Sequence, residues 1–275
     1  MSTDQQTDVE APAFARGGYP LHSVIASEFT KLRTVRSTIW SFGTLFVLAV
    51  GLGALATSLA SSHWTQMRLE EQLTFDPLRQ SLVGVFFGQF AIGVLGVLAI
   101  SAEYATGTIR VSLAAVPKRS YLLLAKVIVF GVSALIMGEI VAFVSFFVGQ
   151  MLLTSPAPHV TIGTHGVLAS VAGVGLYLCL LGLLALGLAT IIRHTAAAVS
   201  AYISILLVVP IIVSLLPSSI SNTFGRFLPA SIGHSVVSQV TGPHEFSMGV
   251  GLLLLVLYAV VVLGIGGYLL ARRDA

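Results

Sequence analysis

Six uninterrupted apolar runs, near residues 38–60, 80–101, 122–152, 167–191, 196–216 and 248–270, constrain this chain more than anything else in it. Each is about 20 residues or longer, the length an α-helix needs to cross a bilayer core of roughly 30 Å. In lipid every backbone N–H and C=O must be satisfied by the protein, which leaves helices and closed barrels. A barrel shows segments of about ten residues with alternating polarity. Continuous Leu, Val, Ala and Gly predict helices instead. The mean hydropathy of +0.95 and the 9% of charged residues agree.

The polar segments organise the rest. Residues 1–18 read as a flexible tail of Ser, Thr, Gln, Pro and acids. They lack the basic start and early apolar run of a secretory signal, so the first span is expected to be retained. In residues 21–36 the apolar Leu21, Val24, Ile25, Phe29, Leu32 and Val35 recur at helical spacing among basic residues. This predicts an amphipathic helix in the membrane surface or a solvated helix beside the first span. Of the 14 Lys and Arg residues, only Arg68, Arg79 and Arg226 fall on one side of the six spans. The positive-inside rule then places both termini in the cytoplasm. The expected fold is all-α integral membrane: an interfacial helix and six spans in one domain, 19–275. The third span is long enough to tilt. The fourth and fifth are joined tightly at Arg193–His194, and Pro210 kinks the fifth. Phe224–Val240 is apolar enough for a short helix dipping into the outer leaflet.

Chemistry of the chain's own is not legible. There is no Walker-type nucleotide loop (GxxxxGK followed by Ser or Thr), and His244-Glu245 lacks the second histidine of a zinc helix. The seven histidines are scattered, a GxSxG elbow is missing, and Cys179 is the single cysteine, read as a packing residue. No catalytic residue, metal site, cofactor or nucleic-acid partner is expected. The driving force has to come from a partner or an ion gradient.

One polar stretch, Ser101 to Ser120, separates the second and third runs. Within it, Ala102-Glu103-Tyr104-Ala105-Thr106-Gly107-Thr108-Ile109-Arg110, followed by Leu113, Pro117 and Arg119, resembles the segment after the second span in actinobacterial-type permeases of type-2 ATP-binding-cassette (ABC) exporters. Ser27-Glu28-Phe29-Thr30-Lys31-Leu32-Arg33 is similar to that family's opening helix. Phe227-Leu228-Pro229-Ala230-Ser231-Ile232-Gly233 is similar to its outer segment, and the basic C-terminus agrees. The resemblance covers about residues 20 to 275. It implies a six-helix permease paired with a second copy or a related chain. Each permease is coupled to a cytoplasmic ATPase, two copies in all, which uses ATP and Mg. The resemblance also implies a connecting helix at 21–36 and a coupling region at 102–120. Glu103, Tyr104, Thr106, Gly107, Thr108, Arg110, Pro117, Arg119 and Glu28 are its candidate coupling residues. The implied cargo is lipophilic or amphiphilic: a drug, antibiotic, peptide or lipid.

The residues themselves allow more than one role. Glu103 and Arg110 share a face if the segment is one helix. Gly107 marks a bend or a close approach, and Pro117 ends any helix near Val116. Lys118 and Arg119 suit lipid phosphates or a partner's acids. Glu28 pairs with Lys31 or Arg33, or touches the partner. Glu139, the acid deep in a span, lines a pathway, pairs across a dimer, or bonds to a neighbouring helix. It is also the one support for a gradient-driven transporter, and an intramembrane enzyme would need a catalytic companion for it. Gly84, Gly88 and Gly96 predict close helix packing within the subunit rather than between subunits. Phe86, Phe87 and Phe90 are expected to face lipid.

Overall fold

The computed structural model describes residues 20–34, 36–109, 119–238 and 245–272, and only the backbone of Arg36, Ser37 and Arg119. The predicted tail lies outside the described residues. Helix α1 (Leu21–Thr34) precedes a first span built from α2 (Arg36–Phe46), a π turn (Val47–Gly51) and α3 (Leu52–Ser62). Short helices α4 (Leu69–Leu73) and α5 (Pro77–Ser81) follow. Asp76 caps α5, its Oδ1 accepting from the Leu78 and Arg79 amides at 2.9 and 3.1 Å, with Pro77 at the first helical position. Next come α6 (Val85–Ala105), α7 (Arg119–Leu152) and α8 (Val167–Ile192). The fifth span is α9 (Thr195–Ile203), a π turn (Ser204–Val208) and α10 (Val209–Ser214). Helices α11 (Ser218–Gly225) and α12 (Pro229–Val237) lead to α13 (Met248–Arg272).

Among the described residues, six helices are long and apolar enough to cross a membrane: Thr38–Ser62, Val85–Ala105, Ser120–Leu152, Val167–Ile192, Thr195–Ser214 and Met248–Arg272. The second begins later than expected, because residues 77–81 form the separate helix α5. The π turn of the fifth span sits immediately before Pro210, whose ring removes a backbone donor and crowds the preceding turn. Between the fourth and fifth spans, Arg193 adopts a left-handed conformation (φ 61°) and His194 caps the next helix, accepting from the Ala197 amide at 3.4 Å. The expected tight break is observed there.

Helix α8 is the axis of the bundle. Its most apolar stretch is 72% buried, against 17% for the first, fifth and sixth spans. It touches α6, α7, α9, α12 and α13. Small residues make that possible. A Cβ on Gly96 of α6 would overlap the Gly182 carbonyl of α8, and one on Gly138 of α7 would lie 2.7 Å from the Gly175 carbonyl. Helix backbones this close gain dispersion contacts that larger side chains would prevent. Gly84 and Gly88 meet Ala49 and Leu45 of the first span. The glycine strip therefore packs within the subunit.

At mid-bundle, Tyr177 Oη donates to Gln89 Oε1 at 2.7 Å, and Tyr202 Oη to the Gln89 carbonyl at 2.8 Å. This joins α6, α8 and α9 through one buried glutamine, whose side-chain oxygen and backbone carbonyl both accept. Cys179 is buried and donates to the Gly131 carbonyl at 3.3 Å, a packing role as expected. Two expectations change. Phe86 and Phe87 are exposed, but Phe90 packs against the core. In place of one helix at Phe224–Val240 there are two, broken at Leu228, which Pro229 holds extended. α12 is not peripheral: Ile232 and Val236 are buried against the bundle. Residues 239 and 240 lie outside the described residues.

Candidate functional site

Successive spans run in alternating directions. α1, the end of α6, the start of α7, the α8–α9 turn and the end of α13 therefore share one face. Contacts confirm the grouping: Arg193 lies over the Tyr104 ring, 5.5 Å from its centroid, and donates to the Leu269 carbonyl at 3.4 Å.

A knot of four charges sits on this face. Lys126 Nζ, in the second turn of α7, donates to Glu28 Oε2 and Glu103 Oε1, each at 2.7 Å. Lys31 Nζ donates to Glu28 Oε1 at 2.7 Å and to Glu103 Oε1 at 3.2 Å. The knot ties α1 to α6 and α7 at once. Side-chain exposure is 4% for Lys126, 5% for Glu28 and 14% for Glu103. These are buried pairs, and their attraction is weakly screened. Below the knot, Val24, Ile109, Leu122 and Ala125 form an apolar cluster that seats α1.

This revises the reading of α1. Its inward stripe is Val24 and Glu28, with Lys31 half-buried, while Phe29 points outward at 53% exposure. A charged stripe turns inward because Glu103 and Lys126 supply counter-charges there. Glu28 does pair with Lys31, as one expectation had it, and also with Lys126. The sequence pattern alone does not mark Lys126, near the start of the third span, as a site residue. The signal was present: a lysine within an apolar run needs a counter-charge.

The remaining candidates divide. α6 ends at Ala105, and Gly107 takes φ 71°, with none of the described residues within 4 Å of a Cβ built on it. Gly107 therefore makes a bend, using the left-handed conformation that glycine adopts without steric cost. Because α6 stops at Ala105, Glu103 stands in its last turn. Thr106 and Thr108 are exposed, their hydroxyls 2.8 Å apart, and Thr106 Oγ1 donates to the Ala102 carbonyl at 2.9 Å. Tyr104 packs against the core beneath Arg193. Arg110, Pro117 and Lys118 lie outside the described residues, as does the side chain of Arg119. Glu139 is half-buried on α7, its carboxyl against Gly175 of α8, and none of the described residues hydrogen-bonds it.

Beside the knot, a cavity of about 580 Å³ runs between α1, α6 and α7. On the far face, a cavity of about 320 Å³ reaches Gln89 and Tyr177 and is bordered by Arg79 and His234. Glu139 lines neither.

Burial works against the charge of Lys31, but its hydrogen bond to Glu28 and the fields of Glu103 and Glu28 outweigh it, so the ammonium titrates above its ordinary 10.5. A raised lysine contributes fully below its unfolded pKa and loses that contribution as pH climbs through the folded one. Spin labels at the exposed Thr34 and Thr106 are expected to report one α1–α6 distance from neutral pH upward, with separation beginning only above 10.5.

The family model described as ABC-2 family transporter protein matches residues 24–211, which include α1, the knot and the first five spans almost entirely. The chain belongs to that family: it is an ABC-2 type permease, a membrane protein that works with an ATPase. No curated protein matches the chain significantly.

Proposed function

We propose that this permease exports a lipophilic or amphiphilic compound, such as a drug, antibiotic, peptide or lipid, across the cell membrane, from the cytoplasm or its inner leaflet. The α1 face is then cytoplasmic, as the bias of the 14 basic residues toward it supports. Two permease chains, identical or related, act with two ATPase copies. ATP and Mg are handled by the ATPase, and this chain contributes no catalytic residue or cofactor. Residues 19–275 form one permease domain behind the tail 1–18.

The observation that carries this reading is the charged knot. Glu103 is the first charged residue of the polar stretch at 101–120, and it is bonded to Lys126 of α7 and Lys31 of α1. A displacement applied to that stretch is passed into α1 and the third span together, because stretching buried, charge-assisted hydrogen bonds is costly. Glu103 and Glu28 thus act inside the permease as positioning residues, while Thr106, Thr108 and the segment beyond Ile109 meet the ATPase.

The test is the reconstituted complex with its ATPase. Glu103→Gln keeps the side chain's shape and removes its charge. The complex is expected to co-purify and hydrolyse ATP while substrate transport falls by about tenfold or more, as loss of one charged hydrogen-bonding contact predicts. Unchanged transport in an intact complex would sink the transmitting role. Loss of ATPase binding would instead make Glu103 part of the docking surface.

A further inference from the structure

The cavity beside the knot has two chemically different ends. Along α6 it is lined from Leu95 to Glu103, about 12 Å of helix. Along α7 it is lined from Phe130 back to Lys126. In both helices the deep end is apolar and the end at the α1 face is charged. Its volume of about 580 Å³ lies within the range of about 300–1,000 Å³ typical of small-molecule sites.

The hydrogen-bond inventory decides which head group fits. Both oxygens of Glu28 accept from lysines, and Glu103 Oε1 accepts from two. Glu103 Oε2 is buried and has no hydrogen-bond partner among the described residues. A buried carboxylate oxygen lacking a donor is unfavourable, and a donor that reaches it recovers that free energy. An anionic head gains less, because each lysine spends at least two of its three N–H groups on the carboxylates and the four side chains sum to zero charge. The geometry points to a site for an amphiphile bearing a primary ammonium, with the head on Glu103 Oε2 and the chain along Leu95, Leu98, Ala99 and Phe130. The same head chemistry is found on an aminolipid of the surrounding membrane and on a single-chain amine cargo.

The experiment uses the full-length permease in micelles of a neutral detergent, with binding read by native mass spectrometry. Dodecylammonium and dodecyltrimethylammonium carry the same chain and charge, but only the first donates a hydrogen bond. The wild-type protein is expected to bind the first about tenfold more tightly, the scale of one charge-assisted hydrogen bond. Ala99→Phe fills the apolar end without touching the knot and is expected to abolish binding of both. Glu103→Gln is expected to erase the preference between them. Phosphatidylethanolamine added with dodecylammonium separates the sources. If it displaces the amine and phosphatidylcholine does not, the site holds a membrane lipid; if neither displaces it, the site holds a single-chain amine. Equal affinity for the two probes in the wild type, or unaltered binding in Ala99→Phe, would overturn the proposal. The assay contains no ATPase, so its failure is separate from any failure of the transport reading.

Discussion

Replacing Lys126 with methionine is expected to destabilise the permease by about 3–5 kcal/mol, the usual consequence of removing one member of a buried ion pair. Lys126 bridges Glu28 and Glu103 with two 2.7 Å bonds at 4% exposure. Without it, two carboxylates remain close together with Lys31 alone to balance them, and Lys31 is 44% exposed. Thermal unfolding of the full-length protein reads the loss, and the Thr34–Thr106 spin-label distance reads whether α1 leaves the bundle. Adding Glu28→Gln restores charge balance, so the double variant is expected to be more stable than the sum of the single effects by about 1–3 kcal/mol. If Lys126→Met is as stable as the wild type, then Val24, Ile109, Leu122 and Ala125 hold α1 by apolar contact alone.

Gly96→Val is expected to cost about 3 kcal/mol, the upper end for overpacking, because the new side chain meets backbone rather than a flexible side chain. A Cβ there overlaps the Gly182 carbonyl, where α6 crosses the central helix α8. Relief requires moving one helix off the other, which also disturbs the Gln89–Tyr177 hydrogen bond between the same pair. The control is Gly43→Ala in the first span, where none of the described residues lies within 4 Å of the added carbon. Its exposed helical position is expected to gain up to about 1 kcal/mol from alanine's helix propensity. A similar fall in unfolding temperature for both variants would contradict the central role of the α6–α8 crossing.

Much of the architecture was legible because membrane insertion is a local rule. An apolar run of sufficient length specifies a span whatever surrounds it, so the span positions, the tight Arg193–His194 turn and the Pro210 irregularity were all visible in one dimension. The knot was legible only in pieces. Glu28 and Glu103 stood out because charge is scarce in this chain. Their joint partner did not: Lys126 is 98 positions from Glu28, and a basic residue near the end of a span ordinarily marks a headgroup anchor. Periodicity identified α1 but not which stripe turns inward, since helical spacing is indifferent to what waits on each side. For Gly107, sequence allowed a bend or a close approach, and its left-handed φ of 71° shows a bend.

The sequence by itself determined six helices able to cross a membrane, a helix before them and one polar stretch between the second and third, because the cost of exposing polar backbone to lipid is set residue by residue. The tertiary structure alone decided that α8 is the axis, that Glu28, Glu103 and Lys126 close into a buried knot completed by the half-exposed Lys31, and that a cavity lies beside it. Those features depend on which distant side chains become neighbours. The need for a buried charge to find its opposite is felt only once the helices have come together.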